Sequence, residues 1–184
     1  GSAAVPGITG TAEFIENSDN SITVELTLQN TPAGGQHPAQ IVISLGAVDG
    51  DTGNSTITFS TLDNGTPITY NELIAFDGYI NVHLSAEELS TIVAQGDIGQ
   101  NELTEKSKSY DLGSVAVPDI SGSVSFTERV NGETLAIISL DNTPAGGEHP
   151  AHIHLNTAAE GGGIAFTFNP INGDNGMSKT NVVS

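Results

Sequence analysis

"NTPAGGEHPAHIH", residues 142–154, stands 112 positions after a near copy of itself, "NTPAGGQHPAQIV" at 30–42. The first ten positions of the two stretches share nine identities. The same offset lays "GSAAVPGITGTAEF" (1–14) on "GSVAVPDISGSVSF" (113–126). Past the copied stretch the offset becomes 123, because "GDTGNS" (50–55) matches "GDNGMS" (173–178) and the first copy lacks eleven residues in between. A period of this kind decides the architecture before any single element does. It divides the chain into a first repeat, 1–112, without the His-x-His hairpin, and the front half of a second repeat, 113–184. Gly1-Ser2 falls on Gly113-Ser114, which points to a natural repeat boundary at the start. A front half cannot bury its own apolar face, so a borrowed strand is expected to complete it.

The runs between the copies alternate. Ile22, Val24, Leu26 and Leu28 interleave with Thr23, Glu25, Thr27 and Gln29, a half-buried strand. Ile8–Phe14 and Ile120–Phe126 read the same way, as do Ile57 and Phe59, and Phe166 and Phe168. Ile80, Val82 and Leu84 face one side of a further strand; Tyr79, Asn81 and His83 face the other. Asp63-Asn64-Gly65, Asn131-Gly132 and Asn172-Gly173 supply turn chemistry. Short strands at this spacing predict an all-β fold, a Greek-key sandwich. One short helix is expected from Ser85, where Ser-Ala-Glu-Glu forms a capping-box pattern ahead of Leu89, Ile92 and Val93. A further helical turn is expected at Tyr70–Ile74.

Composition narrows the function classes. Twenty-two acidic residues against four basic ones give a net charge of −18. Such a chain cannot neutralise phosphates, so nucleic acid is excluded as a partner. No apolar run is long enough for a membrane span, so membrane insertion is not expected. No cysteine is present, which removes disulfides, thiolate metal sites and thiol catalysis. No Ser/His/Asp triad, phosphate loop or paired-carboxylate signature stands out, and an enzyme is not expected.

Two sets of residues could bind cations. His152 and His154 sit at i and i+2 of a strand, so both imidazoles project from one face and could share a transition metal. A stable site needs a third ligand, and the other histidines are His37, His83 and His149. "DGDTGNS" (49–55) and "NGDNGMS" (172–178) place oxygens at alternate positions, making Asp49, Asp51 and Asp174 candidate calcium ligands; no bidentate Glu follows at EF-hand spacing.

"HPAHIH" with its glycine-rich hairpin, "FDGYINVHLS" (76–85) and "GDIGQNEL" (96–103) resemble the CHRD domain family. The resemblance covers most of residues 5–112 and 117–184. It implies an extracellular or cell-surface domain, bacterial in its tandem form, with a β-sandwich similar in outline to copper/zinc superoxide dismutase and no established catalysis. It also sets His83 beside the His-x-His pair, so the candidate site for copper or zinc is His152, His154, His83 and His149. Dismutase-like chemistry ranks last, since four basic residues offer little guidance to an anionic substrate. The first repeat departs from the family pattern, with Gln40 where His152 stands in the second. The expected function is therefore structural: an extracellular protein that associates with itself, as a filament or oligomer, by strand exchange between incomplete repeats, with residues 149–170 supplying what the first repeat lacks.

Overall fold

The computed structural model describes residues 5–41 and 43–183; the Gly1-Ser2 boundary lies outside them. The chain is all-β and divides into two compact units, which part between Glu102 and Leu103.

The first unit carries β1 (Thr9–Glu16), β2 (Ile22–Gln29), β3 (Gln36–Gln40), β4 (Ser44–Asp49), β5 (Asn54–Phe59), helix α1 (Tyr70–Ile74), β6 (Asp77–His83) and β7 (Ile92–Gly99). β1, β2 and β5 form one antiparallel sheet in that order, and β4-β3-β6-β7 form the other. The alternation that marks each strand also fills the space between the sheets. Ile22, Val24 and Leu26 meet Ala39, Leu45, Val48, Ile80, Val82 and Val93 in one buried cluster. Burial of these aliphatic side chains, about 1.5–3 kcal/mol each, is what holds the sandwich together.

The second unit carries β8 (Leu103–Leu112), β9 (Ser121–Arg129), β10 (Thr134–Asp141), β11 (Glu148–His149), β12 (His152–His154), β13 (Ile164–Thr167), β14 (Ile171–Asn172) and β15 (Met177–Val182). Its main sheet runs β11-β14-β15-β10-β9-β8, and β12 pairs with β13. The repeat is reproduced down to the register. Thr9 pairs with Gln29 and Ser121 with Asp141; Ile22 pairs with Phe59 and Thr134 with Val182. Gln40 pairs with Ser44 across a tight turn, and the equivalent pair is His152 with Thr167. The eleven extra residues of the second copy thus fall within this hairpin and lengthen it.

Three sequence expectations need correction. Residues 149–170 do not complete the first repeat: its own β6 pairs with Ala39 and Gln40, through Val82 and Asn81, while His152–Thr167 pairs with itself. The helix expected from Ser85 is a pair of turns. Ser85 Oγ does accept the Glu87 N–H at 3.2 Å, but Ile92 and Val93 enter β7 and pair along β6. The helix that forms is α1, where Thr69 and Glu72 cap each other in a reciprocal box. Finally, His83 is buried rather than displayed to solvent, and Asn81 Oδ1 two residues before it is buried as well.

The boundary between units also differs from the boundary between repeats. β8 belongs by sequence to the end of the first repeat, yet it pairs along β9, with Tyr110 opposite Val124 and Leu112 opposite Gly122. The front half of the second repeat therefore receives a strand from the tail of the first. Tyr110 adds an edge-on ring contact to Phe126, centroids 6.2 Å apart. Lys106 meets Glu128 at 2.8 Å on an exposed surface, where such a pair contributes little.

Candidate functional site

The stretch copied almost without change forms a backbone latch in each unit. Asn30 and Asn142 adopt left-handed backbone, φ 60° and 59°, and their side-chain amides donate to the carbonyls of Gly7 and Asp119. Gly34-Gly35 and Gly146-Gly147 follow, all at positive φ. Thr31 donates to Gly50 O at 3.0 Å, and Thr143 to Gly173 O at 2.9 Å. Gly50 and Gly173 admit no side chain: a Cβ on Gly50 would lie 2.6 Å from the carbonyl oxygens of Pro32 and Gly34, and one on Gly173 would lie 2.5 Å from Pro144 O.

The candidate calcium ligands are all engaged by this latch. Asp51 accepts the Gly34 N–H and Asp174 accepts the Gly146 N–H, each at 2.7 Å. Asp49 Oδ1 accepts the backbone N–H of Thr52 at 2.8 Å, the Thr52 hydroxyl at 3.0 Å and the Asp51 N–H at 3.1 Å. The Thr52 bonds, backbone first, hold the Asp49 carboxyl below its usual range.

The histidines separate into distinct roles. His37 is buried inside the first latch, with Nδ1 2.7 Å from Leu84 O and Nε2 3.2 Å from Pro32 O. His149 is its counterpart; its Nε2 keeps the latch contact, 3.4 Å from Pro144 O. His152 and His154 do share a face of β12, ring centroids 5.9 Å apart and nearly perpendicular. His154 Nδ1 donates to Gly162 O at 2.9 Å, which leaves its Nε2 lone pair open to solvent. His83 lies in the first unit, its Nδ1 buried without a hydrogen-bond partner. Among the described residues no three His, Asp or Glu side chains converge as a metal-holding group.

What the second unit leaves open is an apolar groove of about 520 Å³. Val124, Phe126, Ile138, Phe168 and Ile171 form its floor, and Ala151 and His152 its rim. In the first unit β6 and β7 bring Ile80, Val82 and Val93 down onto the equivalent surface and leave a smaller opening of about 120 Å³ beside Ala12 and Leu26. Matched residues of the two units differ in burial. Ala39 is 0% exposed and His37 2%, whereas Ala151 and His149 are only half-buried. A second opening lies in the first unit, where β1 is the edge of its sheet; β9, its counterpart, is covered by β8. Sequence reasoning did not single out β8 as a strand. Only its end, Tyr110 and Leu112, alternates in the way that would have revealed it.

No protein-family model, no curated protein and no solved structure matches the chain.

Proposed function

We propose that this is an extracellular structural protein of tandem repeats that associates with itself by β-strand addition. One observation carries the reading. Leu103–Leu112, the tail of the first repeat, forms the edge strand of the second unit, so repeats join by handing a strand forward. In the first unit the same edge, β1, ends its sheet. Leu28, paired with Gly10, donates its N–H to Gly53 O at 2.8 Å, away from β1. By the alternation of an antiparallel ladder, Gly10 and Ala12 then turn their N–H and C=O groups outward. Such a row of unpaired groups is a template for another strand. The extracellular setting and the bacterial tandem form draw support from the resemblance to the CHRD family and from a −18 charge suited to a solvated surface.

Sedimentation velocity over a wide concentration range, with negative-stain microscopy, tests the reading. Oligomers or filaments are expected, and Ala12→Pro, which removes an outward N–H that the β1–β2 ladder does not use, is expected to abolish them. A chain that stays monomeric throughout overturns the proposal.

A second reading rests on the His152–His154 pair, whose shared face and open Nε2 suit copper or zinc at the protein surface. Two imidazoles make a weak site by themselves, so a third ligand would come from solvent or from another molecule.

A further inference from the structure

We infer that residues 155–163, within the lengthened hairpin of the second unit, form a loop that a copper or zinc ion on His152 and His154 holds closed, with the Gly162 carbonyl positioning His154 as a ligand. The inference rests on the second reading above and deepens it, since it names the group that aims the ligand and the segment that the ion controls.

Two differences between the repeats fall together. Gln40 and Val42 stand where His152 and His154 stand, and the first copy also lacks the eleven residues that lengthen the hairpin. The longer hairpin makes its own framework. Leu155 donates its N–H to Gly163 O at 2.9 Å, and the Asn156 side chain donates to Gly161 O at 3.0 Å. Thr157 and Glu160 bond reciprocally: the Thr157 hydroxyl donates to the Glu160 carboxylate at 2.7 Å, and the Glu160 N–H donates to that hydroxyl at 3.3 Å. Gly162 lies so close to Leu155 that a Cβ there would collide with the Leu155 carbonyl. These contacts hold the Gly162 carbonyl in place, and it meets His154 Nδ1 at 2.9 Å.

A carbonyl oxygen only accepts, so Nδ1 of His154 carries the proton and Nε2 is the ligand atom. The rings of His152 and His154 share a face, with centroids 5.9 Å apart. Two imidazoles on one tetrahedral ion, each bound through nitrogen at about 2.1 Å, hold their centroids about 5 Å apart, so a small rotation of the rings suffices. An ion on Nε2 draws electrons from the ring and makes the Nδ1 proton a stronger donor to Gly162 O. Coupling of this kind is reciprocal: the ion tightens the loop, and a loop already closed raises the affinity for the ion.

Zinc added to the full chain tests this, read by the ring signals of His152 and His154 and by amide exchange. Saturating zinc is expected to slow exchange at Leu155 and Gly161, whose N–H groups donate to Gly163 O and Thr157 O, by about tenfold or more, and to leave β9 and β10 unchanged. Gly162→Ala displaces the carbonyl but removes no ligand. It is expected to lower zinc affinity about tenfold and to release the His154 ring into both tautomers, a change visible in the ring nitrogen signals before any zinc is added. Glu160→Ala loosens the loop away from the histidines and is expected to lower affinity about threefold, which decides the matter even where Gly162→Ala unfolds the hairpin. Ring signals that move with zinc while Leu155 and Gly161 exchange as before overturn the inference and leave the metal reading standing, as does unchanged affinity in both variants. Ring signals indifferent to zinc overturn both.

Discussion

The Asp51 carboxylate accepts the backbone N–H of Gly34 at 2.7 Å, across seventeen residues of chain. It ties the turn after β4 to the left-handed glycines before β3. Asp51→Ala is expected to cost about 1 kcal/mol in urea unfolding near neutral pH, and Asp51→Asn, which keeps an acceptor oxygen, distinctly less. Asp174→Ala should act likewise on the second unit, where the bond to Gly146 is the same length.

Close backbone approach gives a sharper expectation. A methyl group on Gly50 or Gly173 would collide with carbonyl oxygens at 2.5–2.6 Å, and those carbonyls are fixed by the latch. Gly50→Ala and Gly173→Ala should each destabilise their unit by about 1–3 kcal/mol. Gly65→Ala is the contrasting case: a Cβ there meets nothing within 4 Å, and only its positive φ of 82° opposes the change. Denaturant midpoints of the three variants separate crowding from backbone strain.

Acid should loosen the cap of α1. The Thr69 backbone N–H and hydroxyl, bonded to Glu72, hold that carboxyl below its usual range. A lowered folded-state pKa gives stabilisation that is fully present above the unfolded value, about 4.3, and is lost as pH falls through the folded value. Exchange of the Thr69 amide should therefore speed up in relative terms below about pH 4. Glu72→Gln should remove that pH dependence while slowing exchange little at any pH.

Metal affinity at the hairpin is the fourth test. Titration with copper or zinc, followed by the ring signals of His152 and His154, should show Nε2 of His154 as a ligand atom, since Nδ1 is committed to Gly162 O. His154→Ala and His152→Ala should each weaken binding at least tenfold. Retained affinity in both variants would place any bound metal elsewhere.

Fragments test the strand handover directly. A polypeptide starting at Leu103 is expected to unfold cooperatively, and one starting at Gly113 to be markedly less stable, since it loses the β8 ladder and the Tyr110–Phe126 contact. Equal urea midpoints for the two fragments would contradict this.

Much of the fold was legible because one face of each strand is buried. The alternation at Ile22–Gln29 survives into a 0% exposed Ile22 and Val24, and the two offsets, 112 and 123, recur as matched ladder registers. Two features escaped. β8 is polar over most of its length, so its placement is decided by the edge of β9 rather than by its own pattern. Ser85–Glu88 has the local signature of a helix start, but pairing of Ile92–Gly99 along β6 overrides it. At the candidate sites the strand period correctly put His152 and His154 on one face. Periodicity could not reveal that Asp49, Asp51 and Asp174 serve their own backbone, because that depends on a latch closed between residues far apart in sequence.

That the tail of the first 112-residue block clasps the unit after it has a consequence for how a chain built of such blocks could grow. A duplication copying the whole block would deliver every added unit together with the piece its successor needs, wherever in the series the copy was inserted. Lengthening by whole blocks is then structurally neutral at each internal junction, and only the outermost members carry an unmatched rim.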